Sequence, residues 1–287
     1  MKRRIILAGG SGFLGRSLGE VLSRGGYEVI VLGRGPSKVS GGRRHEQWDG
    51  RSLWDWAGHL DGAKAVVNLT GRSVNCRHTP ENKREIMDSR VNSVRVLGEA
   101  ISGCTVPPEV FVQASSLAIY GDPGDLWCDE EAPPAHGFSE EVCKRWEGAF
   151  AEVRAPGMRK VVLRIGIALA AHQGALPVLA RLTRWFLGGK VSHGRQYISW
   201  IHIVDLVRMF VEAIERPDLS GVLNATGPNP VTNAEFMREL RHALHRPWSP
   251  PVPAWATQIG ARLMGTEASL ALTGRRCQPA RFLENGF

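Results

Sequence analysis

The chain has 287 residues, 43% of them apolar and 22% charged, a balance that supports a buried core in one large or two modest domains. Its net charge of +8 is spread along the whole chain without a basic block, which speaks against nucleic acid and for a cleft that draws phosphate-bearing ligands. No apolar run approaches the roughly 20 residues of a bilayer span, and the stretch after Met1-Lys2-Arg3-Arg4 breaks at Gly9-Gly10, too early for a signal peptide, so a cytoplasmic protein without membrane contact is expected.

In chain order, Arg4–Ala8 predicts a buried strand, followed by glycines and a helix to about Arg24. Gly25-Gly26 end that helix, and Tyr27–Leu32 predicts a second strand. Ala65–Leu69 is a third. Thr79-Pro80-Glu81 marks a helix start, with Thr as cap and Pro in the first helical position, for a helix running to about Ile101. A strand at Val110–Ala114, a helix at Ser139–Val153 and a strand at Lys160–Ile165 follow. This alternation predicts an α/β fold, a Rossmann-type doubly wound parallel sheet. Beyond residue 166 the rhythm loosens: helices are expected at 176–187, 204–215 and 232–245, strands at 196–203 and 222–226, and two short helices in the Pro-rich tail. The expected division is a nucleotide-binding domain at 1–165, its sheet completed by parts of 190–226, and a smaller substrate lobe at 166–287.

Gly9-Gly10-Ser11-Gly12-Phe13-Leu14-Gly15 lies between the first strand and the first helix. The glycines at 9, 12 and 15 serve a tight turn, backbone approach to a pyrophosphate and close packing of helix on sheet. The helix start then offers unpaired N–H groups to the phosphates. After the second strand the chain reads Gly33-Arg34-Gly35, with no acid to hold a ribose 2′-hydroxyl. An Arg34 guanidinium forking onto a 2′-phosphate would contribute about 1.5–3 kcal/mol, roughly a ten- to hundredfold preference for NADP(H). The five cysteines lack a C-x-x-C pair and read as reduced thiols. His242 and His245 have no companion ligands, so no metal site is expected.

The chain resembles the extended short-chain dehydrogenase/reductases, and more narrowly their atypical sugar-nucleotide epimerase-like branch with a C-terminal domain of unknown function. The resemblance rests on the glycine loop, Asn68-Leu69-Thr70-Gly71, Ser115-Ser116 with Tyr120-Gly121-Asp122, Trp146-Glu147, Leu163-Arg164 and Trp200-Ile201-His202. It continues into Pro251-Val252-Pro253 and Gly274-Arg275-Arg276-Cys277. It implies that Asn68 to Gly71 line the adenosine side and that Trp48 and Asp49 lie near the adenine. It implies that Asn92, with Arg90 beside it, braces the sheet near the active site, and that Ser115 and Arg164 stand with the cofactor. Ser116 takes the place of a serine that hydrogen-bonds substrate, and Arg195 and His202 resemble substrate-lobe positions. Relatives dimerise through helices flanking the sheet, so a homodimer is compatible with the resemblance.

Most short-chain dehydrogenases carry Tyr and Lys at i and i+4 on one helix face, where the Lys lowers the Tyr pKa for proton transfer. Here the three tyrosines, 27, 120 and 197, are followed four residues on by Val31, Gly124 and Ile201. Ser139 and Cys143 fall where the pair would stand, with Lys144 one step round the helix. Tyr120 is the candidate replacement proton donor, beside Ser116 as the group that orients a carbonyl. A buried Tyr120 ring bonded to its surroundings is the competing reading. Most of the nine tryptophans are core residues, with Trp146 and Trp200 as candidates to face the ligand. Two functions are compatible with these residues: an NADP(H)-dependent oxidoreductase or epimerase acting on a small polar, nucleotide-linked substrate, or an NADP(H) sensor that has lost the acid–base pair.

Overall fold

The structure, a computed structural model, describes residues 3–287; Met1 and Lys2 of the basic start lie outside the described residues. The first half runs β1 (Arg4–Ala8), α1 (Phe13–Arg24), β2 (Glu28–Gly33), β3 (Lys38–Ser40), β4 (Arg43–Gln47), β5 (Ala65–Asn68) and α2 (Pro80–Ser102). It continues through β6 (Val110–Ser116), β7 (Trp127–Cys128), α3 (Phe138–Glu152), β8 (Arg159–Ile165) and β9 (Ile167–Leu169). The second half runs α4 (Leu176–Arg184), β10 (Tyr197–Ile198), β11 (Trp200–His202), α5 (Ile203–Glu215), β12 (Gly221–Ala225) and β13 (Val231–Thr232). It ends with α6 (Asn233–Ala243), α7 (Ala254–Leu263), α8 (Ser269–Leu272), β14 (Arg276–Cys277) and α9 (Ala280–Glu284).

The main sheet has the order β12-β8-β6-β5-β1-β2-β4-β3, parallel throughout except for the antiparallel edge strand β3. Its central strands are buried on both faces, which is why they read as unbroken apolar runs rather than alternating ones. α1 packs with α5 and α2 with α3, one pair on each face. β3 and β4 escape a reading based on apolar runs because they are polar and partly exposed. Helix starts follow their chemistry: Thr79 accepts from the Asn82 amide (3.3 Å) with Pro80 next in line, and Thr232 and Glu235 form a capping box on α6. α4 ends at Arg184, short of the predicted Leu187, and Phe186 takes a left-handed φ of 61° just beyond it.

Of the second half, only β12 joins the main sheet; β11 pairs with β9 and β10 with β13 in separate small ladders. Three short helices occupy the tail where two were predicted. The segment before α9 stitches this half to the first: β14 pairs with β7, and the Ser199 hydroxyl donates to the Arg275 carbonyl (2.8 Å) while accepting from the Cys277 amide (2.9 Å). At the sheet edge, the Asn224 amide donates to Glu130 (2.9 Å) and Arg281 donates to the Val222 carbonyl (2.6 Å). Among the described residues no helix is long and apolar enough to cross a membrane.

Candidate functional site

The chain leaves β1 toward β2 on one side and later returns to β5 on the other, so the strand order reverses between β1 and β5. Ligands of open parallel sheets bind beyond the carboxyl ends of the strands at such a point. Two loops meet there. Gly9 (φ +73°) lies so close to the second loop that a side chain would come within 2.9 Å of the Thr70 nitrogen. A Cβ on Gly15 would fall 2.4 Å from the Gly10 Cα, whereas one on Gly12 would meet only the Gly9 carbonyl at 3.5 Å. The loop is tight where helix meets strand and open at Gly12, which caps α1 without a side-chain hydrogen bond. The first-turn amides of α1 therefore face the cleft as anion donors.

The cleft, of about 250 Å³, is walled on one side by Gly9, Gly12, Phe13, Leu14 and Gly15. Leu69 lines its middle, and Arg90, Ser115, Ser116 and Trp146 close the far end. A larger cleft, of about 460 Å³, lies among Pro107, Pro108, Pro156 and Pro217 at the amino ends of the strands, away from the switch point. Its position gives it no part in dinucleotide binding.

Arg34 stands exposed just past β2, and the hydroxyl of Ser11 lies on the adjoining Gly33. Arg16 donates to the Ser11 carbonyl (2.6 Å) and to Gln173, fastening the loop after β9 over the glycine loop. Nothing in the sequence marked this clasp, since its partners are 157 residues apart. Trp48 is 2% exposed and packs its ring on Trp56, with centroids 5.4 Å apart. Asp49 accepts from the Arg51 and Ser52 amides and the Ser52 hydroxyl, organising its own turn. Buried Asn68 donates to Ser93 (3.1 Å) and Gln113 (3.0 Å) and accepts from the Thr70 amide (3.0 Å), which sets the shape of the second loop. The brace expected of Asn92 is thus made one residue later, by Ser93. The Thr70 hydroxyl is buried without a partner among the described residues.

Behind the far end lies a closed polar network. Ser115 donates to Glu147 (2.6 Å), and Arg164 grips the same carboxylate with two bonds (3.0 and 2.8 Å). Arg164 also donates to the Tyr120 hydroxyl (2.8 Å), which donates to Asn224 (2.9 Å). Burial works to lower the Arg164 pKa, and the Glu147 carboxylate outweighs it, so the guanidinium is held above its ordinary value. The Tyr120 ring is 2% exposed, and burial raises its hydroxyl's pKa despite Arg164 and Asn224. In the structure neither Tyr120 nor Arg164 lines the cleft: the Tyr120 hydroxyl is engaged by Arg164 and Asn224, and the Arg164 guanidinium by Glu147 and Tyr120.

Ser116 does face the cleft; its Oγ accepts from the Ala118 amide (3.1 Å), which leaves the hydroxyl proton for a ligand. Cys143 stands where a family lysine would be expected and donates weakly to the Ser116 carbonyl (3.8 Å). Its thiol is pushed up to about 12, first by burial and then by Glu147, and so is neutral. Lys144 pairs with Glu141 (3.3 Å). Arg195 is exposed, and His202 caps α5 through the Val204 amide (3.3 Å); neither lines the cleft. Among the described residues no group of three or more His, Cys, Asp or Glu side chains is placed to hold a metal.

A model of the NAD dependent epimerase/dehydratase family matches residues 5–225. The chain belongs to that family. It is 33% identical to the chloroplastic SDR39U1 homolog of Arabidopsis thaliana, over 99% of this chain and 82% of that protein. It is 31% identical to the epimerase family protein YfhF of Bacillus subtilis, over 99% and 92%. The human epimerase family protein SDR39U1, solved with NADPH, superposes with a TM-score of 0.87 at 30% identity, covering 99% of this chain and 94% of that one. The fold is that of the Rossmann-type epimerases.

Proposed function

We propose that this family member binds NADP(H) along the glycine loop and acts, as an epimerase- or oxidoreductase-like protein of the cytoplasm, on a small polar, nucleotide-linked substrate. The observation that carries the reading is the uncapped start of α1 at the switch point, open at Gly12 and flanked by an exposed Arg34. The NADPH in the similar human protein supports it, as does the unpartnered Thr70 hydroxyl on the loop that would meet the adenosine. When bound, the nicotinamide supplies or accepts a hydride. The chain's own part is to hold the pyrophosphate on the α1 amides, to hold the 2′-phosphate with Arg34, and to orient a carbonyl with the Ser116 hydroxyl. Tyr120 has no place in proton transfer on this reading. A non-catalytic NADP(H) sensor is the second reading, favoured by the neutral Cys143 thiol where a lysine would activate a tyrosine.

The test is a calorimetric titration of cofactor-stripped protein with NADPH and NADH, beside Arg34→Asp. NADPH affinity is expected to fall roughly ten- to hundredfold in the variant, with NADH little changed. Wild-type protein that binds neither nucleotide would end the proposal. Oxidation of bound NADPH by some carbonyl compound in a substrate screen would favour the enzyme over the sensor.

A further inference from the structure

Two cations stand at the far end of the cleft, and they differ in one respect. Arg164 is neutralised by Glu147, whereas Arg90 has no carboxylate within salt-bridge distance among the described residues. Arg90 is nevertheless held in place. Its Nη1 donates to the Arg72 and Ile86 carbonyls (both 2.9 Å), and its guanidinium lies over the Trp146 ring, 5.0 Å from the centroid. A Cβ on Gly71 would come within 3.0 Å of the Arg90 Cζ, so Gly71 leaves room for the guanidinium to lie flat between backbone and indole. Burial lowers its pKa, and no carboxylate is among the groups that offset this. Trp146, 6% exposed, adds a second donor: its Nε1 is buried with no acceptor among the described residues. Both side chains line the cleft beside Ser115 and Ser116.

We propose that Arg90 and the Trp146 Nε1–H form an oxyanion subsite at the reacting end of the cleft, and that the substrate carries a carboxylate or phosphate there. This rests on the reading of the cleft as an NADP(H) site, and it assigns Arg90 to the substrate rather than to the cofactor. A planar, pinned guanidinium with no internal counter-ion recognises oxyanions by a directed, charge-assisted bond. The cofactor's own phosphates have their donors at the other end, on α1 and Arg34.

The test titrates NADPH-loaded protein with oxalate and, separately, with inorganic phosphate, comparing wild type with Arg90→Gln, Arg90→Lys and Trp146→Phe. Oxalate binding alone assigns a carboxylate, and phosphate binding alone assigns a phosphate. Affinity for the bound anion is expected to fall at least tenfold in Arg90→Gln, and by about threefold in Arg90→Lys and Trp146→Phe, with NADPH affinity within about twofold of wild type throughout. If Arg90→Gln does not fold, the other two variants carry the same test. Wild type that binds NADPH but neither anion overturns the subsite and leaves the cofactor reading standing. A tenfold loss of NADPH affinity in the Arg90 variants also overturns it, returning Arg90 to the cofactor. If wild type binds no nucleotide, the cofactor reading falls, and the same anion titration on free protein decides the subsite alone.

Discussion

The two polar regions at the carboxyl ends of the strands are built in opposite ways. At the glycine loop the donors are backbone amides of α1 and an exposed arginine, none satisfied by a side-chain cap or carboxylate among the described residues. Behind Ser116, every member of the chain Ser115–Glu147–Arg164–Tyr120–Asn224 has its partner inside the protein. Polar groups left open at a cleft are available to a ligand, whereas polar groups closed on one another hold the walls of that cleft in register. The tyrosine that looked most like a proton donor belongs to the second kind.

The sharpest way to break the closed network is Glu147→Ala. It strands the buried Arg164 guanidinium and is expected to destabilise the protein by about 3–5 kcal/mol in denaturant unfolding. The open loop is broken by Gly15→Ala, whose added Cβ meets Gly10 backbone at 2.4 Å. It should lose about 3 kcal/mol, the upper part of the overpacking range, together with most of its NADPH affinity in the same titration. Tyr120→Phe separates the regions more gently. Leaving Arg164 and Asn224 each short of a partner costs about 2 kcal/mol, while NADPH affinity is expected to stay at the wild-type value. A large loss of cofactor binding in that variant would show that the two regions are not independent.

The smallest effect concerns Glu130, which supports Asn224 from outside the network. Burial raises its pKa above the ordinary 4.5, and hydrogen bonds from the Asn224 and Arg281 amides only partly offset this. A raised carboxyl pKa means that the folded state binds the proton more tightly than the unfolded one. Its stabilising contribution is present below pH 4.5 and is lost as the pH rises through the folded value. Glu130→Gln lacks this titration, so its stability relative to wild type should improve as the pH rises across that window, measured by urea unfolding at a series of pH values.

What the sequence disclosed follows the range of the interactions. The glycine loop and the Thr79-Pro80 helix start are local patterns, and the structure has them where the residues predict. β3 and β4 carry no apolar signal, because an exposed edge hairpin needs none. The Arg16–Gln173 clasp and the Arg164–Tyr120 bond join residues 157 and 44 positions apart, and no periodicity encodes such pairings. Arg164 and Tyr120 were recognisable as residues near the site, but which partner would claim each was decided only by packing. The one-residue offset from Asn92 to Ser93 has the same origin: both lie on α2, and only the helix's rotation against β5 determines which reaches Asn68.

The side chains that tie down β12 have a consequence for biosynthesis. An unpaired edge strand is a template on which a second chain can add. Here Glu130 occupies the Asn224 amide and Arg281 the Val222 carbonyl, so the edge is blocked by one group from the first half of the sequence and one from its last helix. While the nascent chain emerges from the ribosome, β12 is complete long before Arg281 appears. Throughout that interval the edge is half-guarded, open at Val222 to a second chain until α9 closes the sheet.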